Sequence, residues 1–168
     1  EMCIRDRLGA DQALTFLREV DAINMRRREK TVELARQTLG GSLIGRNVTV
    51  LGAAFKPNSD DVRDSPALAV AGSLSLSGAN VTVYDPQGMD NAAKIFPTLT
   101  YAPNVEEALE GAEIVIVATE WKQFQELDPV AARKLVAGDN PTVLDGRNCL
   151  PRKEWEAAGW NFLALGRG

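Results

Sequence analysis

Two basic side chains lie between a short apolar segment and a helix start. Residues 48–51 form an apolar, β-branched run that is typical of a strand covered on both faces. Lys56 and Arg63 follow, and Ser65 with Pro66 then predicts a helix start, because a hydroxyl caps free N–H groups and proline suits the first helical position. Open α/β sheets bind ligands at the carboxyl ends of their strands. The pattern therefore predicts a site for an anion such as phosphate.

Three aspartates in the same loop leave a second interpretation open. In it, Lys56 and Arg63 pair with these carboxylates on a solvated loop: Asp60, Asp61 and Asp64. The charge pattern alone does not choose between this pairing and an anion site. The aspartates also suit a divalent metal ion, but the helix dipole explains acidic side chains beside a helix start more simply.

A third basic side chain follows a later strand. Arg147 lies in residues 145–148, Asp-Gly-Arg-Asn, where Gly146 permits a tight turn. Arg147 either pairs with Asp145 at the surface or converges with Lys56 on one phosphate or nucleotide sugar. Trp121 follows another strand at the same sheet edge, and we interpret it as a half-buried aromatic residue rather than a ligand contact.

A dinucleotide site needs a glycine-rich turn, and the first strand lacks one. It is followed by residues 52–57, Gly-Ala-Ala-Phe-Lys-Pro, instead of Gly-x-Gly-x-x-Gly. Asp85 ends the second strand, where a ribose-binding acid would stand, but Asp85 with Pro86 is better interpreted as the turn into the next helix. We expect a Rossmann-like domain without a complete NAD site of its own.

The elements that position these residues alternate along the chain. Strands are predicted at 48–51, 81–84, 114–118, 142–144 and 162–165, and helices at 66–77, 88–95, 105–109, 129–136 and 152–158. Such alternation predicts an α/β fold: a Rossmann-like, doubly wound parallel sheet preceded by a long connector helix. The predicted divisions are an artefactual or disordered tail at 1–9, the connector helix at 10–41 and the Rossmann-like domain at 42–168.

The connector helix is predicted to begin at an Asp11 cap and to end at Leu39, before two glycines. At 1.5 Å per residue it would be about 43 Å long. Its apolar stripe consists of Leu14, Phe16, Leu17, Val20 and Ile23. The charged middle, residues 25–30, is either a solvated face or part of a connector that spans two domains or pairs with a partner subunit.

Composition excludes several classes of function. The 168 residues include no histidine, which rules out a Ser-His-Asp triad or a His-ligated metal site within this sequence. The net charge of −4 argues against nucleic-acid or membrane-surface binding. Two cysteines, Cys3 and Cys149, do not make a disulfide framework. With no signal-like or membrane-spanning apolar run, we expect a cytoplasmic protein.

Four segments resemble, in order and spacing, those of the UDP-glucose/GDP-mannose dehydrogenase family. They are residues 55–66 (Phe-Lys-Pro-Asn-Ser-Asp-Asp-Val-Arg-Asp-Ser-Pro), 118–121 (Ala-Thr-Glu-Trp) with Phe124, 143–148 (Val-Leu-Asp-Gly-Arg-Asn) and 165–168 (Leu-Gly-Arg-Gly). The family usually has Thr where this chain has Ser59, and Glu where it has Asp64, and both differences preserve the chemistry. The resemblance extends over nearly the whole chain from about Ala13.

The resemblance implies a function and a set of site residues. Members of the family oxidise the C6 alcohol of a nucleotide sugar to a carboxylate, in two hydride transfers to two NAD⁺ and through a cysteine thiohemiacetal and thioester. By resemblance, Phe55, Lys56 and Arg147 contact the UDP-sugar, and Arg63 reaches towards NAD held mainly by another domain. UDP-glucose is the favoured substrate, with UDP-N-acetylmannosamine and GDP-mannose as alternatives. The connector helix would form a homodimer or a higher homo-oligomer.

This sequence departs from the family in what it does not contain. The family's NAD domain and its glycine-rich segment with the nucleophilic cysteine have no counterpart among these residues, and neither Cys3 nor Cys149 matches that segment. No catalytic residue is assigned, and we expect the central helix and C-terminal UDP-binding part of a dehydrogenase, inactive alone. A stand-alone, non-catalytic nucleotide-binding module remains the alternative from another class.

Overall fold

The computed structural model describes residues 11–166, so the predicted tail at 1–9 lies outside the described residues. The helices are α1 (Asp11–Thr38), α2 (Pro66–Leu76), α3 (Met89–Ile95), α4 (Val105–Leu109), α5 (Lys122–Gln125), α6 (Pro129–Arg133) and α7 (Arg152–Ala157). The strands are β1 (Asn47–Leu51), β2 (Asn80–Tyr84), β3 (Thr100–Tyr101), β4 (Ile114–Val117), β5 (Thr142–Asp145) and β6 (Asn161–Ala164).

The six strands form one parallel sheet in the order β3-β2-β1-β4-β5-β6. This is the doubly wound order in which successive strands are added on one side of β1 and then, from β4 onward, on the other, leaving a crevice at the carboxyl ends of β1 and β4. The predicted α/β fold is confirmed. The five predicted strands and five predicted helices form within a few residues of their expected bounds, while β3 and α5 are additions that the sequence pattern did not indicate.

Alternate residues of the central strands supply two hydrophobic cores, one on each face of the sheet. Ile114 and Ile116 of β4 belong to the core that α1 and α2 cover, whereas Val115 and Val117 belong to the core on the other face. Both faces are covered, which explains why β4 is an unbroken apolar run.

Among the side chains of α1 that the structure describes, those buried against the domain lie in the C-terminal part of the helix. The buried side chains there lie at helical spacing: Thr31, Val32, Ala35 and Leu39. The described members of the stripe predicted nearer the N-terminus do not pack on this domain, because Leu17, Val20 and Ile23 are 56%, 37% and 44% exposed. The structure leaves the side chains of residues 11–14 and 16 undescribed, so the Asp11 cap and the places of Leu14 and Phe16 lie outside the described residues.

Candidate functional site

A cavity of about 290 Å³ opens at the carboxyl ends of β1, β4 and β5. It lies at the reversal of strand order, where doubly wound sheets bind ligands. The loop after β1 contributes Phe55 and Lys56, and the loop after β5 contributes Gly146 and Arg147. The three residues expected to contact a nucleotide sugar, Phe55, Lys56 and Arg147, therefore line one cavity. That they bind the substrate stays a prediction.

The loop after β1 leaves the sheet through a sharp turn at Gly52. Its φ of +112° and the space around it exclude a side chain, since a Cβ there would lie 2.5 Å from the Thr119 hydroxyl oxygen. That hydroxyl donates to the Ala54 carbonyl at 3.0 Å, and the Phe55 N–H donates to the Asp61 carbonyl at 2.8 Å. These contacts hold the chain where Phe55 and Lys56 meet the cavity.

Asp85 is the buried carboxylate that fixes this turn. One of its oxygens accepts from the N–H groups of Ala53 and Ala54 at 2.7 and 2.9 Å. In a dinucleotide-binding Rossmann fold, the turn after the first strand faces the pyrophosphate. Here the chain's own carboxylate occupies these amides, so the turn does not fit a dinucleotide phosphate.

The other contacts of Asp85 confirm its expected role in the turn into α3. Its second oxygen accepts from the N–H groups of Gln87 and Gly88 at 2.9 and 2.7 Å. Trp121 donates its indole N–H to the first oxygen at 3.0 Å. Trp121 is only 5% exposed, so its interpretation as half-buried is wrong: the indole is a core side chain that bridges to Asp85.

The loop after β5 is built around a second buried carboxylate, Asp145. Its oxygens accept from the N–H groups of Arg147 at 3.0 Å and Leu150 at 2.9 Å. Gly146 is required by close approach, since a Cβ there would lie 2.9 Å from the Val117 carbonyl oxygen. The loop thus holds the Arg147 backbone against the end of β4, at the cavity wall.

The guanidinium of Arg147 pairs with Glu120 and not with Asp145. Its Nη2 donates to one Glu120 oxygen at 2.9 Å, and its Nε donates to the other. The surface pairing with Asp145 considered from the sequence is therefore wrong, because backbone amides already occupy that carboxylate. Hydrogen bonding from Arg147 lowers the pKa of Glu120, and hydrogen bonding to Glu120 raises the pKa of Arg147. Two parallel hydrogen bonds fix the guanidinium plane.

Phe55 and Lys56 also line the cavity, but in the described part of the chain neither has a carboxylate partner like the Glu120 that pairs with Arg147. The Phe55 ring lies at the cavity and is 54% exposed. Within residues 11–166, Lys56 makes no ion pair. An aromatic face and a free ammonium suit a ligand that combines a planar base with negative charge.

Arg63 lies at a different depression, which Asn91 and Lys94 also line. It pairs with Asp61 through two hydrogen bonds of 2.9 and 2.8 Å. This pairing lowers the pKa of Asp61 to about 2. Lys56 and Arg63 therefore do not form one anion site at the start of α2, and for Arg63 the structure favours the solvated ion pair. Its contact with NAD stays a prediction.

The helix start after this loop has the predicted cap. The Ser65 hydroxyl accepts from the Leu68 N–H at 3.3 Å, and Pro66 is the first residue of α2. Of the nearby aspartates, Asp61 pairs with Arg63 and Asp60 accepts from the Asn91 side chain at 3.2 Å. In the described part of the chain, no group of three or more His, Cys, Asp or Glu side chains could hold a metal ion.

Cys149 lies next to the cavity loop but is not an activated nucleophile. Burial and the charge of Asp145 raise the pKa of its thiol to about 12. A thiol with that pKa is protonated at neutral pH, and the thiolate is the reactive form.

The connector helix contributes one wall of the cavity, which the sequence analysis missed. Its lining residues are Asn24, Arg27, Arg28 and Thr31. Their spacing of three, four and seven residues is the sequence signal that places them on one helix face. The charged middle of the helix is thus not solvated all round.

None of the helices among the described residues has the length and apolar character needed to cross a membrane.

Comparison with known proteins agrees with this geometry. Residues 49–152 match the family described as "UDP-glucose/GDP-mannose dehydrogenase family, UDP binding domain". The chain is 35% identical over 157 residues to a UDP-glucose 6-dehydrogenase of Rhizobium meliloti. These aligned residues cover 94% of this chain and 36% of that protein. A UDP-glucose 6-dehydrogenase of Bacillus subtilis is 37% identical over 131 residues, covering 77% of this chain and 28% of that protein.

A solved structure is similar over almost the whole chain. The UDP-glucose dehydrogenase of the hyperthermophilic archaeon Pyrobaculum islandicum has a TM-score of 0.75 and 33% identity, covering 95% of this chain and 35% of that one. The chain thus spans about a third of the length of the curated relatives it matches. The matched segment includes the loops that carry Phe55, Lys56 and Arg147. The chain belongs to the UDP-glucose/GDP-mannose dehydrogenase family, and it contains the family's UDP-binding domain.

Proposed function

We propose that this chain is the UDP-sugar-binding part of a UDP-glucose 6-dehydrogenase. The enzyme would oxidise UDP-glucose to UDP-glucuronate in two steps, with NAD as the hydride acceptor. The observation that carries the proposal is the convergence of Phe55, Lys56 and Arg147 on one cavity at the reversal of strand order. The UDP-glucose 6-dehydrogenases among its relatives support the choice of sugar.

Each of the three residues has a separate role in binding. The exposed Phe55 ring offers a face for the uracil base, with a contribution of about 1 kcal/mol. Lys56 brings a compact positive charge for the diphosphate, and the Arg147 guanidinium, fixed in plane by Glu120, gives directional hydrogen bonds. Holding the nucleotide in one place positions the sugar for reaction, so this domain lowers the barrier by orientation.

NAD does not fit the turn after β1, because Asp85 already accepts from the amides that would face its pyrophosphate. We therefore propose that NAD is held mainly by a separate domain, with Arg63 at its edge. Without that domain, and with Cys149 a protonated thiol, the chain alone would not turn over. Sustained NADH production from UDP-glucose and NAD⁺ by these 168 residues would contradict this assignment.

The exposed stripe on α1 supports a homodimer through the connector helix. Leu17, Val20 and Ile23 lie on a helix segment that this domain does not cover, and burying them would remove apolar surface from water. Replacing Leu17 and Ile23 together by Lys should shift the protein from dimer to monomer in light scattering. The Leu76→Lys control removes a 92% exposed side chain elsewhere and should change nothing. A wild-type monomer would contradict the proposal.

The binding role is tested by titrating UDP into the full chain by calorimetry. Wild type should bind, and Lys56→Ala and Arg147→Ala should each weaken binding about tenfold or more, because a charge-assisted hydrogen bond contributes about 1.5–3 kcal/mol. Lys94→Ala, at the depression near Arg63, is the matched control and should bind like wild type. Unchanged affinity in both cavity variants would contradict the proposed site.

A further inference from the structure

The cavity wall formed by the connector helix has a polar face of its own. Asn24, Arg27, Arg28 and Thr31 line the cavity together with the loops that carry Lys56 and Arg147. The Thr31 hydroxyl donates to the Arg27 carbonyl at 2.9 Å, so it is already used within the helix. Arg27 and Arg28 are the strong donors that remain on this wall.

Arg28 differs from the other described basic residues of the helix in having a buried Nε without a hydrogen-bond partner. Within residues 11–166, its Nε is one of two buried side-chain nitrogen or oxygen atoms that lack a hydrogen-bond partner. The other belongs to Trp155, which packs against Trp160 in the core. Further along the same helix, Arg36 is paired with Glu33 at 3.2 Å. A buried donor without an acceptor destabilises the protein, and an incoming acceptor would remove that penalty.

The charge of the cavity indicates what the acceptor would be. Four basic side chains and no carboxylate line it among the described residues, the basic ones being Arg27, Arg28, Lys56 and Arg147. Glu120 offsets Arg147 alone, and within residues 11–166 none of the other three forms an ion pair. Three cations without an ion pair among the described residues suit a ligand with more than one negative charge, such as a diphosphate, and guanidinium groups match phosphate geometry.

We propose that Arg28 of the connector helix is a phosphate-binding residue for the nucleotide that occupies this cavity. Its guanidinium donates to the diphosphate from the α1 wall of the cavity, so the helix forms part of the nucleotide site. The inference rests on the proposed UDP-binding function and adds a residue from α1 to it.

The test compares Arg28→Met with Arg26→Met in the full chain. Arg26 is exposed and lies two residues earlier, about 200° around the helix, so it controls for the loss of one positive charge on α1. Arg28→Met should weaken UDP binding about tenfold or more in calorimetry, whereas Arg26→Met should stay within about twofold of wild type. Arg28→Lys should recover part of the affinity.

Two further measurements separate a phosphate contact from a structural role. Binding of uridine, followed by NMR titration, should be the same in wild type and Arg28→Met, because uridine lacks the phosphates. The melting temperature of ligand-free Arg28→Met should be equal to or above that of wild type, since a buried donor without a partner has been removed.

The results that overturn the inference differ from those that overturn the proposed function. If Arg28→Met binds UDP like wild type while Lys56→Ala and Arg147→Ala lose affinity, Arg28 is not a phosphate ligand and the proposed function stands. An equal loss of uridine and UDP affinity in Arg28→Met also removes the phosphate role. If wild type does not bind UDP, both proposals fail.

Discussion

The two polar regions at the carboxyl edge of the sheet differ in how completely their groups are paired. At the turn after β1, Asp85 accepts five hydrogen bonds and is 1% exposed. At the neighbouring cavity, Lys56 and Arg28 have no ion-pair partner among the described residues, and Phe55 is exposed. In the first region every oxygen of the carboxylate is hydrogen-bonded within the chain, while the second leaves Lys56 and Arg28 without an ion pair within residues 11–166.

We interpret the first region as a structural polar cluster and the second as the proposed UDP site. Most buried polar groups that serve only the fold are paired, since an unpaired one costs about 1–3 kcal/mol. Groups that serve a ligand keep capacity for it. Changes at Asp85 should therefore affect the stability of the fold, and changes at the cavity should affect binding.

The largest effect on stability should follow the replacement of Asp85. Asp85→Asn replaces one acceptor oxygen by an N–H₂ group that faces donors already in place, and should lower the free energy of unfolding by about 3–5 kcal/mol in urea denaturation. If Asp85→Asn does not fold, Trp121→Phe provides a second test. It removes one of the five donors to Asp85 and should lower the free energy of unfolding by a smaller amount. The control, Asp139→Asn, changes an exposed carboxylate. Wild-type stability in Asp85→Asn would contradict the structural role.

A smaller effect on stability is expected at the Glu120–Arg147 pair. Arg147 lines the cavity, but it is also hydrogen-bonded to Glu120. Both side chains are more than a third exposed, so Glu120→Gln should destabilise the protein by only about 0.5 kcal/mol at pH 7. Because folding lowers the pKa of Glu120 below its ordinary 4.5, the difference is present above that pH and is lost as the pH falls through the lowered pKa. Denaturation between pH 7 and pH 3 measures it. A difference that grows on acidification would contradict the assignment.

The smallest effect is expected at Arg63, whose ion pair is exposed. Arg63→Gln should raise the pKa of Asp61 from about 2 towards its ordinary 3.8, as followed by NMR titration of the carboxyl carbon. UDP affinity should stay within about twofold of wild type, because Arg63 does not line the cavity. A large loss of UDP affinity would contradict this separation, because it would show that Arg63 belongs to the same binding site as Lys56 and Arg147.

The parts of the fold that the sequence predicted are those with strong local signals. The apolar run of β4 and the Ser65 cap of α2 are local patterns that depend little on the rest of the chain. By contrast, β3 has two residues and α5 has four, which is too short for any periodicity to appear. They form because neighbouring strands and packed side chains supply the contacts.

At the candidate site, the sequence indicated which residues carry charge but not how they pair. Arg147 pairs with Glu120, 27 residues away, and Trp121 bridges to Asp85, 36 residues away. Such contacts depend on the order of strands in the sheet, which the alternation of elements does not define.

Arg28 was missed for a different reason. Its helical spacing to Asn24 and Thr31 is visible in the sequence, but the surrounding charges concealed a face that packs on the domain.

The most direct test of the account is to map where UDP binds on the full chain by amide NMR. Titration with UDP should shift the backbone amides of Phe55, Lys56, Gly146 and Arg147, which line the cavity at the carboxyl ends of β1 and β5. Amides near Arg63 and Lys94 should stay in place. Shifts confined to the loop at 60–63 and to α3, with the cavity amides unchanged, would contradict the account.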